Sequence, residues 1–180
     1  MFLDTRRSAH LGTGGSATFE FAVSAAASIG AHLTSEGFRA RLITEAGEIA
    51  PRGTFQDTLL DMLAVISPSR EVSFLPGTAA LAHAGGQLIA VLGRLSAEDA
   101  GHLAASRRGN APAMALLLTV GAWGSEAVPE DIARTADILT SAGWRVALVS
   151  ASTPLATAWQ QMHRPADRPL TVGGFGGGLT

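Results

Sequence analysis

Ala113-Met114-Ala115-Leu116-Leu117-Leu118-Thr119-Val120 is an apolar run of strand length in which hydrophobic and polar side chains do not alternate. A strand with one wet face alternates, whereas a run like this one suits a central strand of a parallel sheet, covered on both sides. Immediately upstream, Gln87 to Gly93 is a second buried strand. Ser96 then caps a helix running to about Arg108, with Asp99 three residues on in a near relative of the capping box. Downstream, Pro129 sits well at the first position of a helix extending to about Ala142, with Glu130 and Asp131 near its positive end. Gly143 stops that helix, Trp144 to Ser150 forms another strand, and Thr153-Pro154 opens a last helix through Trp159 and Met162. Apolar runs alternating with amphipathic windows spell strand, crossover helix, strand, which predicts a three-layer α/β domain with a mostly parallel, Rossmann-like sheet.

The amino-terminal part follows the same rhythm. Met1 to Asp4 is the end of an apolar run, and Ser16 to Glu36 carries Phe19, Ala22, Val23, Ala26, Ile29 and Leu33 at helical spacing, with Ser16 as cap and Gly37 as stop. Phe38 to Thr44 reads as a strand ended by a turn at Glu45 to Gly47, and Thr54 to Ile66 as a helix closed by Pro68. Between Arg70 and Gly86 the pattern gives a short run at Val72 to Leu75 and a small Ala-rich helical turn. The domain is expected to span 1–164, and 165–180, rich in proline and glycine, to be a disordered tail. Glu36-Gly37-Phe38-Arg39 and Ala142-Gly143-Trp144-Arg145 share a pattern that two ordinary helix-to-strand turns explain without an internal repeat.

Composition narrows the function. Of 180 residues, 47% are hydrophobic and 16% charged, and 13 basic residues, all arginine, face 15 acidic ones, a balance unlike that of a basic nucleic-acid binder. Cysteine is absent, which excludes disulfides, thiol nucleophiles and cysteine-ligated metal sites, and the absence of lysine excludes a P-loop. No apolar run approaches the roughly 20 residues of a membrane-spanning helix. Met1-Phe2-Leu3 precedes Asp4 and Arg6-Arg7, the reverse of a secretory signal, so the expected location is cytoplasmic. No G-x-S-x-G elbow occurs, and no two of the five histidines stand at metal-ligand spacing on one helix.

Three features carry chemistry. Asp4-Thr5-Arg6-Arg7-Ser8 puts an acid and hydroxyls in the loop above a parallel sheet, oxygen ligands of the kind a hard cation takes; the plainer reading is that Asp4 caps a turn and pairs with a neighbouring arginine. Gly12-Thr13-Gly14-Gly15-Ser16-Ala17 formally satisfies G-x-G-x-x-A before a helix, which gives the alternative of a nucleotide- or phosphate-binding enzyme using Gly12 to Ser16. Against it, seven residues separate Asp4 from Gly12, and no acid ends a strand about 20 residues on. Trp123, in the loop after the central strand, is placed to contact a partner.

The first loop resembles the Asp-x-Ser-x-Ser metal-ion-dependent adhesion site of the von Willebrand factor A-like fold. Asp4 and Ser8 match, and Arg6 replaces the middle serine, placing a fixed positive charge where the divalent ion would sit. The metal site is therefore read as degenerate, with no metal and no cofactor expected. Leu3-Asp4-Thr5-Arg6, Phe19-Glu20-Phe21-Ala22-Val23, Leu59-Leu60-Asp61-Met62-Leu63 and Leu88-Ile89-Ala90-Val91-Leu92-Gly93-Arg94 together resemble the carboxyl-terminal part of the bacterial domain-of-unknown-function 58 family, actinobacterial type. That resemblance implies a cytoplasmic domain of a membrane-anchored protein working with a MoxR-type AAA+ ATPase. It also implies that Met1 falls inside the first, central strand, so that the chain is expected to be an amino-terminally truncated part of a longer product. The expected role is non-enzymatic: a protein-interaction and assembly domain whose partner meets Asp4, Arg6, Arg7, Ser8 and Trp123 at the carboxyl end of the sheet.

Overall fold

The computed structural model describes residues 1–10, 15–49, 58–107, 109–123 and 128–163. Within them the chain forms β1 (Phe2–Leu3), α1 (Gly15–Ser35), β2 (Ile43–Thr44), β3 (Gly47–Glu48), α2 (Thr58–Ala64), α3 (Leu75–Ala84), β4 (Leu88–Leu92), α4 (Ala97–Ser106), β5 (Ala113–Leu118), α5 (Glu130–Ser141), β6 (Arg145–Val149) and α6 (Leu155–His163). The strands make one sheet in the order β3-β2-β1-β4-β5-β6. Every pairing is parallel except the β2–β3 hairpin. This is an α/β fold with a mostly parallel, Rossmann-like sheet, and its strand order reverses at β1 and β4.

The non-alternating runs are explained by two cores. Along β4 and β5, Ile89, Val91, Met114, Leu116 and Leu118 point to one face, where they meet Ala22, Ala26 and Ile29 of α1, Leu59 and Leu63 of α2, and Ala158 and Met162 of α6. Their neighbours Leu88, Ala90, Leu92, Ala113, Ala115 and Leu117 point to the other, against Leu81 of α3, Leu103 of α4 and Leu139 of α5. All eleven residues of these two strands are buried, which is why no polar residue interrupts either run. Burying each leucine, isoleucine, valine or methionine among them contributes about 1.5–3 kcal/mol.

Three of the helix signals act where the sequence puts them, at Ser96, Gly37 and Gly143. Ser96 Oγ accepts the backbone N–H of Asp99 at 3.0 Å and caps α4. Gly37 and Gly143 both take positive φ, 83° and 82°, after α1 and α5. In each case the following aromatic residue donates its N–H to a carbonyl five positions back, Phe38 to Leu33 and Trp144 to Leu139, the six-to-one bond of a glycine C-cap. The similarity ends there. Trp144 is buried and leads straight into β6, whereas Phe38 is 60% exposed and five residues precede β2.

Three boundaries differ from the sequence reading. Phe38 to Thr44 yields a strand only at Ile43–Thr44, because β1 offers β2 a single paired position, Phe2 with Ile43. Val72 to Leu75 forms no strand: Val72 is 78% exposed, and Phe74 is buried as the residue before α3. Ser16 lies inside the first turn of α1 rather than ahead of it. The expected helix start at 54–57 and the tail at 165–180 lie outside the described residues. No helix among the described residues is long and apolar enough to cross a membrane.

Candidate functional site: the loop after the first strand

β1 ends at Leu3, and the next three residues turn above the carboxyl end of the sheet at the point where strand order reverses. Open parallel sheets place their ligand crevice here. In this chain the crevice is filled from within. Asp4 is fully buried and Arg6 is 4% exposed. Arg6 Nε donates to Asp4 Oδ1 at 3.0 Å and Nη2 to Asp4 Oδ2 at 3.2 Å, and the Arg6 backbone N–H also reaches Oδ1 at 3.1 Å. Asp4 thus ends a turn and pairs with an arginine two residues away, as the plainer sequence reading has it.

The same guanidinium reaches three other segments. Its Nη1 donates to Asp99 Oδ2 on α4 at 2.9 Å, its Nη2 to the carbonyl of Arg94 after β4 at 3.3 Å, and its plane lies 4.0 Å from the ring centre of Phe74 before α3. Burial pushes the Asp4 carboxyl above its ordinary range, and this outweighs the hydrogen bonds and charge of Arg6 that pull it down. Burial works to lower Arg6, but its bonds to Asp4 and Asp99 more than offset this and hold it above its usual value.

Two further clusters lock the loop. Thr5 donates its N–H and Oγ1 to the fully buried Glu45 at 3.0 and 2.8 Å, and Ser69 Oγ donates to the same carboxylate at 2.5 Å. Ser69 also brackets Arg6 with backbone bonds, its N–H to the Thr5 carbonyl and its carbonyl to the Arg7 N–H. A 3-10 turn, Arg7–His10, follows. His10 is buried, with Nε2 3.0 Å from the Asp4 carbonyl and Nδ1 3.2 Å from Thr18 Oγ1. A carbonyl only accepts, so Nε2 carries the proton. The Ala9 carbonyl takes the Arg94 N–H at 2.8 Å, and a Cβ added at Gly93 would stand 2.5 Å from that oxygen, so the turn docks on β4 through a residue without a side chain.

The sequence-derived candidates therefore separate. Asp4 and Arg6 meet, but inside the protein. Arg7 and Ser8 are exposed on the turn. Trp123 is half-buried on the other side of the sheet, edge-on to Phe21 of α1 at 5.2 Å between ring centres, while Arg6 lies on Phe74 in the opposite core. One surface patch does not contain all five. Gly12, Thr13 and Gly14 of the glycine-rich segment lie outside the described residues, and Ser16 is exposed on the first turn of α1. Among the described residues no three His, Asp or Glu side chains cluster as metal ligands do.

Beside Arg6 opens a shallow cleft of about 380 Å³ lined by Ser8, Arg94, Ser96, Asp131 and Arg134 among others. A second hollow, about 240 Å³, lies at the amino end of the strands near Met1, Phe38 and Gln87, away from the loop. Sequence reading missed Glu45, Ser69 and Phe74 because each joins the loop across the fold, and His10 because nothing in its own sequence marks the turn that buries it. Asp99 was visible only as a capping position, and its pairing partner stands 93 residues away. Comparison with protein-family models, with curated proteins and with solved structures found no match to this chain.

Proposed function

We propose that this chain is a non-enzymatic interaction domain of von Willebrand factor A-like fold, related to the domain-of-unknown-function 58 family. Its protein partner docks at the carboxyl end of the sheet, on the turn that follows β1. Arg7 and Ser8 are the contact residues in this reading, and Asp4 and Arg6 position them from beneath. The partner is a MoxR-type AAA+ ATPase, met in a membrane-anchored complex on its cytoplasmic side. Trp123 belongs to a separate part of the same sheet end.

The observation that carries the reading is the bidentate Arg6–Asp4 pair. Both oxygens of the acid that the resembled fold offers to a divalent ion are taken by the chain's own guanidinium, and the loop is cross-linked to β4, α4 and the segment before α3. A rigid, internally neutralised loop with exposed residues at its crest suits recognition, since an interface formed from fixed groups loses little freedom on binding. The test is biolayer interferometry between the purified chain and the MoxR-type ATPase of the same genome. Saturable binding is expected, weakened about tenfold or more by Arg7→Glu with Ser8→Arg. No binding by the parent chain, or saturable micromolar binding of ATP or NAD lost in Gly14→Val, overturns the proposal.

A further inference from the structure

We infer that Arg7 and the adjoining stretch Arg70–Val72 form a docking edge for an extended peptide of a protein partner, one that carries an acidic and an apolar residue two positions apart. This rests on the docking turn proposed above and names the chemistry it recognises, not the protein that supplies it. Arg6 and Ser69 form a single parallel bridge: the Ser69 N–H donates to the Thr5 carbonyl at 2.7 Å, and the Arg7 N–H to the Ser69 carbonyl at 2.9 Å. Arg7 and Arg70 follow on the two bridged chains, so their α-carbons stand about one strand spacing apart, about 5 Å. The bridged side chains turn inward, Arg6 to Asp4 and Ser69 to Glu45, while Arg7 and Arg70 are both exposed. Among the described residues neither guanidinium has a hydrogen bond or an ion pair. Asp4 and Glu45 beneath them are fully buried and bonded to Arg6, Thr5 and Ser69, which leaves Arg7, Arg70 and Glu71 as the exposed charges here. Like charges on neighbouring chains work against the fold, so stability does not account for the pair, and an acidic partner does.

The backbone beside them is open. From Arg70 to Ser73 the chain has no helix, turn or bend, so it runs extended and its side chains alternate. Val72 therefore shares the outer side with Arg70, and it is 78% exposed, with Leu75 close behind at 54%. Backbone groups alternate as well: Ser69 faces Thr5 and Arg7, so the N–H groups of Arg70 and Val72 face away from the bridge. Neither has a hydrogen-bond partner among the described residues, whereas the Glu71 N–H is taken by Ser69 Oγ at 3.1 Å. An edge of this kind accepts a peptide as an added strand, with main-chain bonds supplying affinity and alternate side chains supplying specificity. On the outer side of such a strand, one residue faces Arg70 and the residue two positions away faces Val72. An acid at the first position lies about two strand spacings from Arg7, about 10 Å, a gap that a glutamate and an arginine side chain span together. Arginine forks pair with both oxygens of a carboxylate, and Val72 with Leu75 covers an apolar neighbour.

The experiment is a titration of the full chain with a capped seven-residue peptide that has glutamate at its second and sixth positions, valine at its fourth and serine elsewhere, a pattern that reads alike in both strand directions. Saturable shifts of the Arg70, Val72 and Ser73 backbone amides are expected, with a Kd at or below about 1 mM. Arg7→Gln with Arg70→Gln should weaken binding about tenfold or more while leaving the melting temperature unlowered, because the two charges repel. Val72→Ser should weaken it too, and a peptide with lysine for glutamate should not bind. No saturation, affinity unchanged in either variant, or equal affinity for a peptide with serine in place of valine overturns the inference. Failure of the peptide while the ATPase still binds through Arg7 and Ser8 overturns this inference and spares the docking reading. Saturation by the peptide without binding of the ATPase overturns the choice of partner and upholds the edge.

Discussion

Replacing Arg6 with methionine tests the central contact of the loop. Methionine keeps an unbranched stem against Phe74 but leaves the Asp4 carboxylate, fully buried, without its counter-charge. Removing one member of a buried ion pair costs about 3–5 kcal/mol. Asp99 also loses a partner, but its side chain keeps 18% exposure and adds no more than about 1 kcal/mol. With a urea slope of about 2 kcal/mol per molar, the unfolding midpoint should fall by about 2 M. Asp4→Asn alone should cost less, because Arg6 retains Asp99 and the Arg94 carbonyl. The double variant should recover about 1–3 kcal/mol relative to the sum of the singles. The deficit also depends on pH. Asp4 has a folded-state pKa raised above 3.8, so its own contribution to stability is greatest below 3.8 and is lost as pH rises through the folded value. Without Arg6 nothing on the guanidinium side opposes burial, the folded value climbs further, and the cost of Arg6→Met should shrink in acid relative to neutral pH. A midpoint within about 0.3 M of the parent at neutral pH, or strict additivity of the two changes, would refute the assignment of Arg6 as the buried counter-ion.

Gly93→Ala places a methyl 2.5 Å from the Ala9 carbonyl oxygen and 2.9 Å from the Ala9 Cβ, and should destabilise by about 1–3 kcal/mol in chemical unfolding while loosening the Arg7–His10 turn. Ser96→Ala removes the α4 cap and should cost about 1 kcal/mol by thermal melting. Glu48 is held below its ordinary carboxylate value by its hydrogen bonds from Arg41, so this pair supports the fold above pH 4.5 and fades as pH falls through the lowered value; the pair is exposed, and Glu48→Gln should change stability by less than about 1 kcal/mol, an effect erased by salt. Amide exchange should find Arg7, Ala9 and Arg94 protected although Arg7 and Arg94 are exposed, since the three N–H groups bond the carbonyls of Ser69, Arg6 and Ala9, and Arg6→Met should release all three together.

The sheet was legible because burial acts on both faces of β4 and β5 at once, so that composition alone marks them. Helix ends were legible where one residue does a local job, as Ser96 and Gly143 do. What escaped were the edges and the site. Phe38 to Thr44 has the alternation of a strand, yet pairing partners determine where a ladder forms, and those lie at Phe2 and Glu48. Asp4 and Arg6 were readable as a pair because two residues separate them. Asp99, Arg94 and Phe74 were not, since only the folded chain brings β4, α3 and α4 to one guanidinium.

That convergence bears on why a chain tolerates a charge at 4% exposure. A buried pair by itself is weak evidence of stabilisation, because desolvation offsets most of the Coulombic gain. Arg6 differs from an isolated pair in that its donors are spread over Asp4, the Arg94 carbonyl and Asp99, so that one guanidinium joins the loop after β1, the segment after β4 and the first turn of α4. An apolar side chain of the same volume fills the space but has no directional bonds with which to set the height of the Arg7–Ser8 crest or to align the first turn of α4 beside it. The cost of burying the charge is thereby exchanged for a defined surface at the Arg7–Ser8 crest and the first turn of α4.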